Sequence, residues 1–520
     1  MGLAGIDYLI VAAYAVVLVT IATLVSVQKS GDKRDTEDYF LAGKALPWWA
    51  IGASLIAANI SAEQVIGMSG SGYAIGLAIA SYEWMAAITL VIVGKYFLPI
   101  FLEHRIYTMP QYLAQRYNGS VRAVMAVFWL GVYTLVNLTS ILWLGALTVN
   151  TLTGFELTHA LIALAAFAAV YSIYGGLKAV ALTDIIQVAM LIAGGLLISY
   201  LSLDAVGQGK GAIAGFGELM RIAPEKFSMI LDADNPNYQY LPGLSVLVGG
   251  MWIMNLSYWG FNQYIIQRAL AAKSVREAQK GIVFAAFLKL LVPVLVVFPG
   301  IAAFVLAPKL ERADQAYPAM MAMTPPGVRG LIFAALIAAI VSSLGSMMNS
   351  IATIFTMDLY KPARPVTSES RLVNIGRIVA FSALSIAVVA AQPLLGDAEQ
   401  AFQWLQEFTG FFTPGVVTLF VLGMFWKGAT AAGAFAAAIG SAVLSVLFKV
   451  YMPDIPFMDR VACVFLLCVL IAVSVSLVWR SPGESKVAGE RKIDFTTTAE
   501  FNIAAATIAT VLTGLYWYWW

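Results

Sequence analysis

Residues 57–64 read Ala-Ala-Asn-Ile-Ser-Ala-Glu-Gln and lie in the middle of an apolar stretch that extends from Trp48 to Tyr73. A membrane span is a run of about 20 apolar residues, and polar side chains halfway along it are costly unless they face protein or a cavity. We therefore predict that a helix unwinds near Asn59, so that its freed carbonyl groups and polar side chains line a site. An ordinary kink packed against neighbouring helices is the alternative interpretation.

Apolar runs recur along the whole chain, which is 60% hydrophobic and only 12% charged. This composition excludes an ordinary soluble domain. We predict an all-α polytopic membrane protein with about fourteen transmembrane helices in one domain that covers residues 1–520. The candidate spans are 5–27, 47–72, 74–103, 121–153, 156–174, 179–203, 241–266, 279–307, 329–358, 374–395, 399–425, 428–451, 457–479 and 499–520.

Most of the lysines and arginines fall in loops that share one side of the membrane if the N-terminus is outside. One such basic cluster is formed by Arg268, Lys273, Arg276 and Lys280. Because cytoplasmic loops carry an excess of Lys and Arg, and because the predicted number of spans is even, we expect both termini to lie outside the cytoplasm.

Three polar or glycine-rich breaks interrupt the spans, at Asn59, within residues 249–263 and at residues 413–415. The first two begin consecutive five-span blocks, 47–203 and 241–425, which must have opposite orientation because five is odd. Paired broken helices in two inverted halves are typical of a transporter with a binding site at the membrane midplane. We therefore predict an inverted five-helix repeat core with discontinuous first helices, flanked by peripheral helices at 5–27 and 428–520.

Glu83 and Lys289 are ionisable residues well inside spans, where each needs a partner. They could pair structurally, or they could bind one polyhydroxylated ligand together with four amides near the breaks, which are those of Asn59, Gln64, Asn255 and Gln406. A mixed set of donors and acceptors suits hydroxyl groups better than a single anion, and aromatic rings at Tyr82, Tyr258 and Trp259 offer flat faces for a sugar ring. Separate helix–helix hydrogen bonds by each amide are the alternative.

Two adjacent serines, Ser342 and Ser343, lie within the ninth predicted span. With carbonyl groups freed near Asn59, their hydroxyls would form an oxygen cage without a full charge, which favours a monovalent over a divalent cation. Asp184, at the cytoplasmic end of the sixth span, could guide a departing cation or could be an ordinary carboxylate at a helix end. No arginine is expected deep in the core, which favours a neutral solute.

Several motifs together resemble the sodium/solute symporter family over nearly the whole chain. They are residues 38–47, Ser61-Ala-Glu-Gln64, Tyr174-Gly-Gly176, residues 181–187, Tyr258-Trp-Gly-Phe-Asn-Gln263 and Ser342-Ser343. The resemblance implies that sugar hydroxyls are bound by Asn59, Gln64, Glu83, Asn255, Lys289 and Gln406, with Trp259 beside the ring. It implies an inner gate at Tyr258 and an outer gate formed by Met68, Tyr82 and Phe402. Sodium would be held by carbonyl groups of Ala57, Ile60 and Ala339 and by the hydroxyls of Ser342 and Ser343, with Asp184 on its exit path.

The implied function is secondary active symport, by alternating access, of sodium and a neutral monosaccharide such as galactose or glucose. Gly345 replaces a hydroxyl of members with a second sodium site, which implies one sodium per sugar, whereas Ala86 replaces a serine near the sugar. The alternatives are another solute (myo-inositol, a sialic acid or an amino acid), a sugar sensor or a channel.

The sequence carries no phosphate-binding loop and no nucleophile or metal set of an enzyme. We expect a bacterial inner-membrane protein whose partners are sodium as the coupling ion, sugar and lipid but not nucleic acid, and a homo-oligomer is left open.

Overall fold

The computed structural model describes residues 3–26, 45–396, 400–479 and 493–520, with backbone only for some residues including 171–183. Within these ranges every regular secondary-structure element is a helix, and a single isolated β-bridge joins Leu46 to Ala272. The predicted all-α class is therefore confirmed. Most of the motif at 38–47 and the basic residues at 28–44 and 480–492 lie outside the described residues.

Within the described residues, the first half of the chain forms eight helices of more than one turn. They are α1 (Gly5–Ser26), α2 (Trp48–Asn59), α3 (Glu63–Ala74), α4 (Leu77–Glu103), α5 (Met109–Arg116), α6 (Gly119–Thr153), α7 (Leu157–Val206) and α8 (Ala212–Ile222). α3 begins with a π-helical turn, Glu63–Met68, which widens the backbone immediately after the predicted break. Such π-turns occur frequently at functional sites.

The described part of the second half forms eleven more helices besides the single turn Ser245–Val248. They are α9 (Gly250–Leu256), α10 (Gln263–Leu270), α11 (Val275–Leu306), α12 (Ala316–Met321), α13 (Val328–Ala363), α14 (Glu369–Leu395), α15 (Ala401–Gly410), α16 (Thr413–Phe425), α17 (Ala431–Tyr451), α18 (Phe457–Val478) and α19 (Ala499–Tyr518). A π-turn, Ser257–Phe261, follows α9 directly.

Nine helices within the described ranges are long and apolar enough to cross a membrane. The bent pairs α2–α3 and α15–α16 are also long and apolar enough to cross a membrane if each pair is counted as one broken span. Two shorter apolar helical segments are Gly5–Val17 and Leu157–Val170. The predicted span 241–266 corresponds to the short segments that end in α10. Every candidate span thus coincides with helical structure, while fourteen complete crossings remain a prediction.

All three predicted breaks are confirmed. The chain bends by 61° between α2 and α3 and by 48° between α15 and α16, and Asn262 is extended between the π-turn and α10. At the first break the Ser61 N–H donates to the Asn59 carbonyl at 2.8 Å. In a continuous helix it would bond to the carbonyl of Ala57, which therefore loses its helical partner.

One predicted loop is wrong. Residues 175–178 were expected to separate two spans, but α7 is helical from Leu157 to Val206. Leu164 and Ile340 both lie against Gly145, and Ile332 lies against Gly194. A straight helix would separate residues 164 and 194 by about 45 Å, whereas their neighbours on α13 are two turns apart. α7 is therefore bent between residues 164 and 194.

α11 packs closely against the helix that follows the first break. An alanine Cβ at Gly300 would lie 2.1 Å from the carbonyl oxygen of Ser69 on α3, so only glycine permits this approach. Small residues at such contacts are typical of membrane helices, because they allow backbones to meet. The contact holds α3, which follows the first break, against the helix that carries Lys289.

Candidate solute and cation sites

A cavity of about 70 Å³ lies where the three breaks meet. The lining residues are Asn59, Gln64, Tyr82, Glu83, Met254, Asn255, Ser257, Tyr258, Trp259, Asn262, Phe402, Gln406, Thr409 and Thr413. Polar groups and aromatic faces from both halves of the chain thus converge on one cavity.

Most of the predicted solute residues share this cavity. Asn59, Gln64, Glu83, Asn255, Trp259 and Gln406 line it, as do Tyr82, Tyr258 and Phe402 of the predicted gates. Lys289 and Met68 are not in its lining. Met68 is buried in the π-turn of α3, and the Lys289 ammonium lies directly behind the cavity wall.

The Lys289 ammonium is fully buried and has three partners. It donates to the Glu83 carboxylate and to Asn59 Oδ1, and it lies 4.8 Å from the centroid of the Trp259 ring. A charge at this depth is tolerated when an opposite charge and hydrogen bonds compensate it. The ion pair joins α11 to α4, and the hydrogen bond to Asn59 joins α11 to the end of α2.

The Asn59 side chain connects this ion pair to the second break. Its Nδ2 donates to the Tyr258 hydroxyl at 3.0 Å, and the Tyr258 and Tyr264 hydroxyls are hydrogen-bonded to each other. Gln64 Oε1 is buried and has no hydrogen-bond partner among the described residues. An unpaired buried amide oxygen is unfavourable, so this atom is suited to accept a hydrogen bond from a bound hydroxyl.

Two aromatic pairs border the cavity. The rings of Tyr82 and Phe402 meet edge to face, with centroids 5.3 Å apart and an interplanar angle of 84°. Tyr258 and Trp259 form a second edge-to-face pair at 5.1 Å. Such pairs are stabilising but their rings can rotate apart, so each pair can act as a movable barrier.

One of the predicted cation ligands, Ser343, contacts the helix that ends at the first break. Ala57, Ile60, Ala339, Ser342 and Ser343 are all buried. The Ser343 hydroxyl donates to the Ala58 carbonyl at 3.4 Å, which brings α13 against the unwound end of α2. A serine hydroxyl of α13 therefore lies next to a backbone carbonyl close to the first break, while the predicted cation site stays a prediction.

Residues 39–440 match the sodium:solute symporter family. The chain belongs to this family. It is 51% identical to the sodium/glucose cotransporter of Vibrio parahaemolyticus over 100% of this chain and 99% of that relative. It is 34% identical to mouse (Mus musculus) sodium/myo-inositol cotransporter 2, covering 80% of this chain and 66% of that longer protein. Sodium is accordingly the coupling ion of this symporter.

The fold of the symporter is also similar to that of a solved structure. A Na⁺-coupled sialic acid symporter, captured in a substrate-bound outward-open state, aligns with a TM-score of 0.79. The alignment covers 92% of this chain and 98% of that protein at 23% sequence identity. The two proteins therefore share the same fold.

The sequence left open whether Asp184 is an ordinary carboxylate at a helix end near the membrane interface. The structure places it inside α7 instead. Its side chain is fully buried, and it accepts hydrogen bonds from the hydroxyl of Ser54, at 2.5 Å, and from the hydroxyl of Ser342. The bend in α7 carries this residue inward against α2 and α13. Hydropathy alone cannot reveal such a bend.

The expectation that no arginine lies deep in the core is wrong. Arg268 is fully buried beside Asp184, with Nη2 and Oδ2 3.8 Å apart. Arg116 is also buried and donates to the carbonyl groups of Gly423, Trp426 and Ala429 near the end of α16. Each arginine stands next to a predicted span and among other basic residues. The sequence pattern therefore predicts that both lie at the membrane interface.

The cavity contains residues that the sequence reasoning missed. Thr409 follows Phe402 and Gln406 at helical spacing, which places these three on one face of α15, and Thr413 begins α16 directly after the bend. That spacing could have identified Thr409. Met254, Ser257 and Asn262 lie within the predicted break at 249–263, and the Tyr133 hydroxyl donates to Asn262 Oδ1 at 2.5 Å.

Asp314 is a buried carboxylate between α11 and α13, outside the spans. Its Oδ2 accepts from the N–H of Ala401, at the start of the helix that carries Phe402. Its Oδ1 has no hydrogen-bond partner in the described structure and points at Gly70, where a Cβ would lie 2.6 Å away. Burial raises the pKa of Asp314 to about 7.

This carboxyl predicts a pH dependence of stability. The folded symporter keeps Asp314 protonated up to about pH 7, whereas the unfolded chain loses the proton near pH 3.8, so rising pH between these values favours unfolding. We expect the Tm of the purified protein to fall from about pH 5 to about pH 8 more steeply than that of Asp314→Asn. Exposed Asp234→Asn is the control, and equal slopes for all three proteins would contradict this assignment.

Proposed function

We propose that this symporter imports a neutral hexose, galactose or glucose, together with sodium. The observation that carries the proposal is the composition of the cavity, which combines amides, one carboxylate and a neighbouring ammonium with aromatic faces. A ring of hydroxyl groups both donates and accepts hydrogen bonds, and it therefore suits such a set. The 51% identity to a sodium/glucose cotransporter over the whole chain supports the same solute class.

Arg268 does not weaken the choice of a neutral solute. It is absent from the cavity lining, and its guanidinium is directed at Asp184, Ser54 and Ser346. An anionic solute would require a cation or a helix N-terminus aimed into the cavity. The Lys289 ammonium is already neutralised by Glu83, so the site as a whole carries no excess positive charge.

In this proposal the sugar hydroxyls replace contacts that the side chains make with one another. The Glu83 carboxylate accepts a hydrogen bond from a sugar hydroxyl, and the Lys289 ammonium donates one. The side-chain amides can donate or accept; they are those of Asn59, Gln64, Asn255 and Gln406. Trp259 lies beside the ring and Tyr258 lies under it. Because the cavity measures only about 70 Å³, bordering side chains must move before a hexose enters.

We assign the movable barriers to the two sides of the membrane. Met68, Tyr82 and Phe402 form the outer gate, and Tyr258 forms the inner gate. The orientation follows the distribution of basic residues, with both termini outside a bacterial inner membrane. Alternating access then arises from relative movement of the inverted blocks 47–203 and 241–425, with 5–27 and 428–520 as peripheral helices.

One sodium ion per sugar supplies enough energy for uptake. We assign the ion to the carbonyl groups of Ala57, Ile60 and Ala339 and to the hydroxyls of Ser342 and Ser343, with release past Asp184. A potential of 100 mV contributes about 2.3 kcal/mol per charge, and a tenfold sodium gradient adds about 1.4 kcal/mol. Together they support roughly several-hundredfold accumulation of a neutral sugar, which is moved without chemical change and so makes the protein no enzyme.

Uptake by the purified symporter in liposomes tests the proposal. Radiolabelled galactose is supplied with an inward sodium gradient or with choline in its place, and unlabelled glucose, myo-inositol, sialic acid or proline serves as competitor. We expect sodium-dependent accumulation above the external concentration, with competition by glucose. Competition only by another solute would overturn the hexose assignment, whereas uptake without accumulation would contradict symport and indicate a channel.

A further inference from the structure

Arg268 forms the centre of a buried hydrogen-bond network next to the cation ligands. Its Nε donates to the carbonyl and hydroxyl oxygens of Ser54, both at 2.9 Å. Its Nη1 donates to the Tyr264 carbonyl and its Nη2 to the Ser346 hydroxyl. The guanidinium thus joins α10, which follows the second break, to α2 and α13. These contacts use the planar fork of an arginine, which lysine cannot reproduce.

The network continues to the predicted sodium ligand Ser342. The Ser54 hydroxyl accepts from Arg268 and donates to Asp184 Oδ2 at 2.5 Å, and Asp184 Oδ1 accepts from the Ser342 hydroxyl. A hydroxyl whose proton is held by a carboxylate presents its oxygen lone pairs in the opposite direction. Ser346, the other end of the network, donates to the Ser342 carbonyl at 2.9 Å.

We propose that Arg268 is a positioning residue of the sodium site. It fixes Ser54 and Asp184, and Asp184 in turn orients the Ser342 hydroxyl so that its oxygen faces the cation position. Arg268 itself does not touch the ion. The inference rests on the proposed sodium site at Ala57, Ile60, Ala339, Ser342 and Ser343. It adds a residue that reaches Ser342 only through other side chains, those of Ser54, Asp184 and Ser346.

Charge balance supports this role over simple packing. Arg268 and Asp184 are both fully buried, and each neutralises the other at 3.8 Å. Without the guanidinium, the Asp184 carboxylate would be left as an uncompensated negative charge beside an ion site, free to attract the cation itself. Residues that orient a metal ligand typically change affinity about 10- to 100-fold when replaced, and we expect an effect of this order on sodium.

The test measures sodium binding directly, by titrating tryptophan fluorescence of the purified symporter with NaCl against choline chloride, without sugar. In Arg268→Lys and Arg268→Gln we expect the sodium concentration for half-saturation to rise about tenfold or more. Uptake at saturating sodium should recover most of its maximum rate in Arg268→Lys. The matched control is Arg116→Lys, a second buried arginine that bonds only to carbonyl groups near α16; its sodium affinity should be unchanged.

Ser54→Ala keeps the proposal testable if the Arg268 variants fail to fold, because it removes only the hydroxyl between Arg268 and Asp184. An increase of about tenfold in the half-saturating sodium concentration would support the proposal. Affinity within about twofold of the parent in every folded variant of Arg268 and Ser54 would overturn it. Since this titration uses no sugar, it remains decisive even if galactose proves not to be the solute.

Discussion

Replacing Lys289 with methionine is expected to abolish sugar accumulation and to destabilise the symporter. The change leaves the Glu83 carboxylate buried without its ammonium partner, and breaking a buried pair in this way costs about 3–5 kcal/mol. It also removes a donor to Asn59 at the cavity wall. The measurements are the Tm of the purified variant and sodium-driven galactose uptake in liposomes.

Two further variants separate folding from transport. The double change Lys289→Met/Glu83→Gln removes both charges and should recover most of the lost Tm while uptake stays absent, because neutral partners cannot reproduce the donor and acceptor set. Lys449→Met is the control, since its pair with Glu407 at 3.0 Å is half-exposed and worth at most about 1 kcal/mol. Normal uptake by folded Lys289→Met would show that this ion pair is only structural.

Ser343→Ala is expected to eliminate sodium-driven accumulation while leaving the protein folded. The hydroxyl is fully buried and lies at the contact between α13 and the Ala58 carbonyl, so its loss removes one oxygen of the proposed cation cage. We expect accumulation to fall about 100-fold, because one lost oxygen ligand costs roughly 2–3 kcal/mol of sodium binding. The measurement is uptake against the sodium gradient, with galactose equilibration monitored in parallel.

Ser199→Ala provides the matched control for this serine. Ser199 is also buried in a membrane helix and donates to the carbonyl groups of Gly195 and Val294, outside both proposed sites. Its variant should accumulate galactose as the parent does. If Ser343→Ala instead retains sodium-driven accumulation within about twofold of the parent, the cation must bind elsewhere in the symporter.

The sequence predicted the helices and their breaks for one physical reason. A span must satisfy its backbone hydrogen bonds internally, so apolar runs identify helices, and polar residues such as Asn59 within a run indicate where the helix opens. The same reasoning brought Glu83 and Lys289 together as candidates, because neither charge is tolerated alone at that depth. The structure places their side chains in contact.

What the sequence could not provide depends on tertiary geometry. Arg268 stands in a basic run that is typical of the cytoplasmic interface, and only the path of α10 beneath α2 reveals that it is buried. The bend of α7 similarly moves Asp184 from an expected helix end into the core. The spacing of Thr409 indicates the cavity only once Phe402 and Gln406 are known to face it.

The central claim is that sodium and sugar bind on either side of the same break, between α2 and α3, and stabilise each other's sites. The most direct measurement is a pair of titrations on the purified symporter, galactose at zero and saturating sodium and sodium at zero and saturating galactose. Thermodynamic linkage requires that each ligand tightens the other by the same factor, and we expect that factor to be about tenfold or more. A galactose affinity that is independent of sodium would contradict the account.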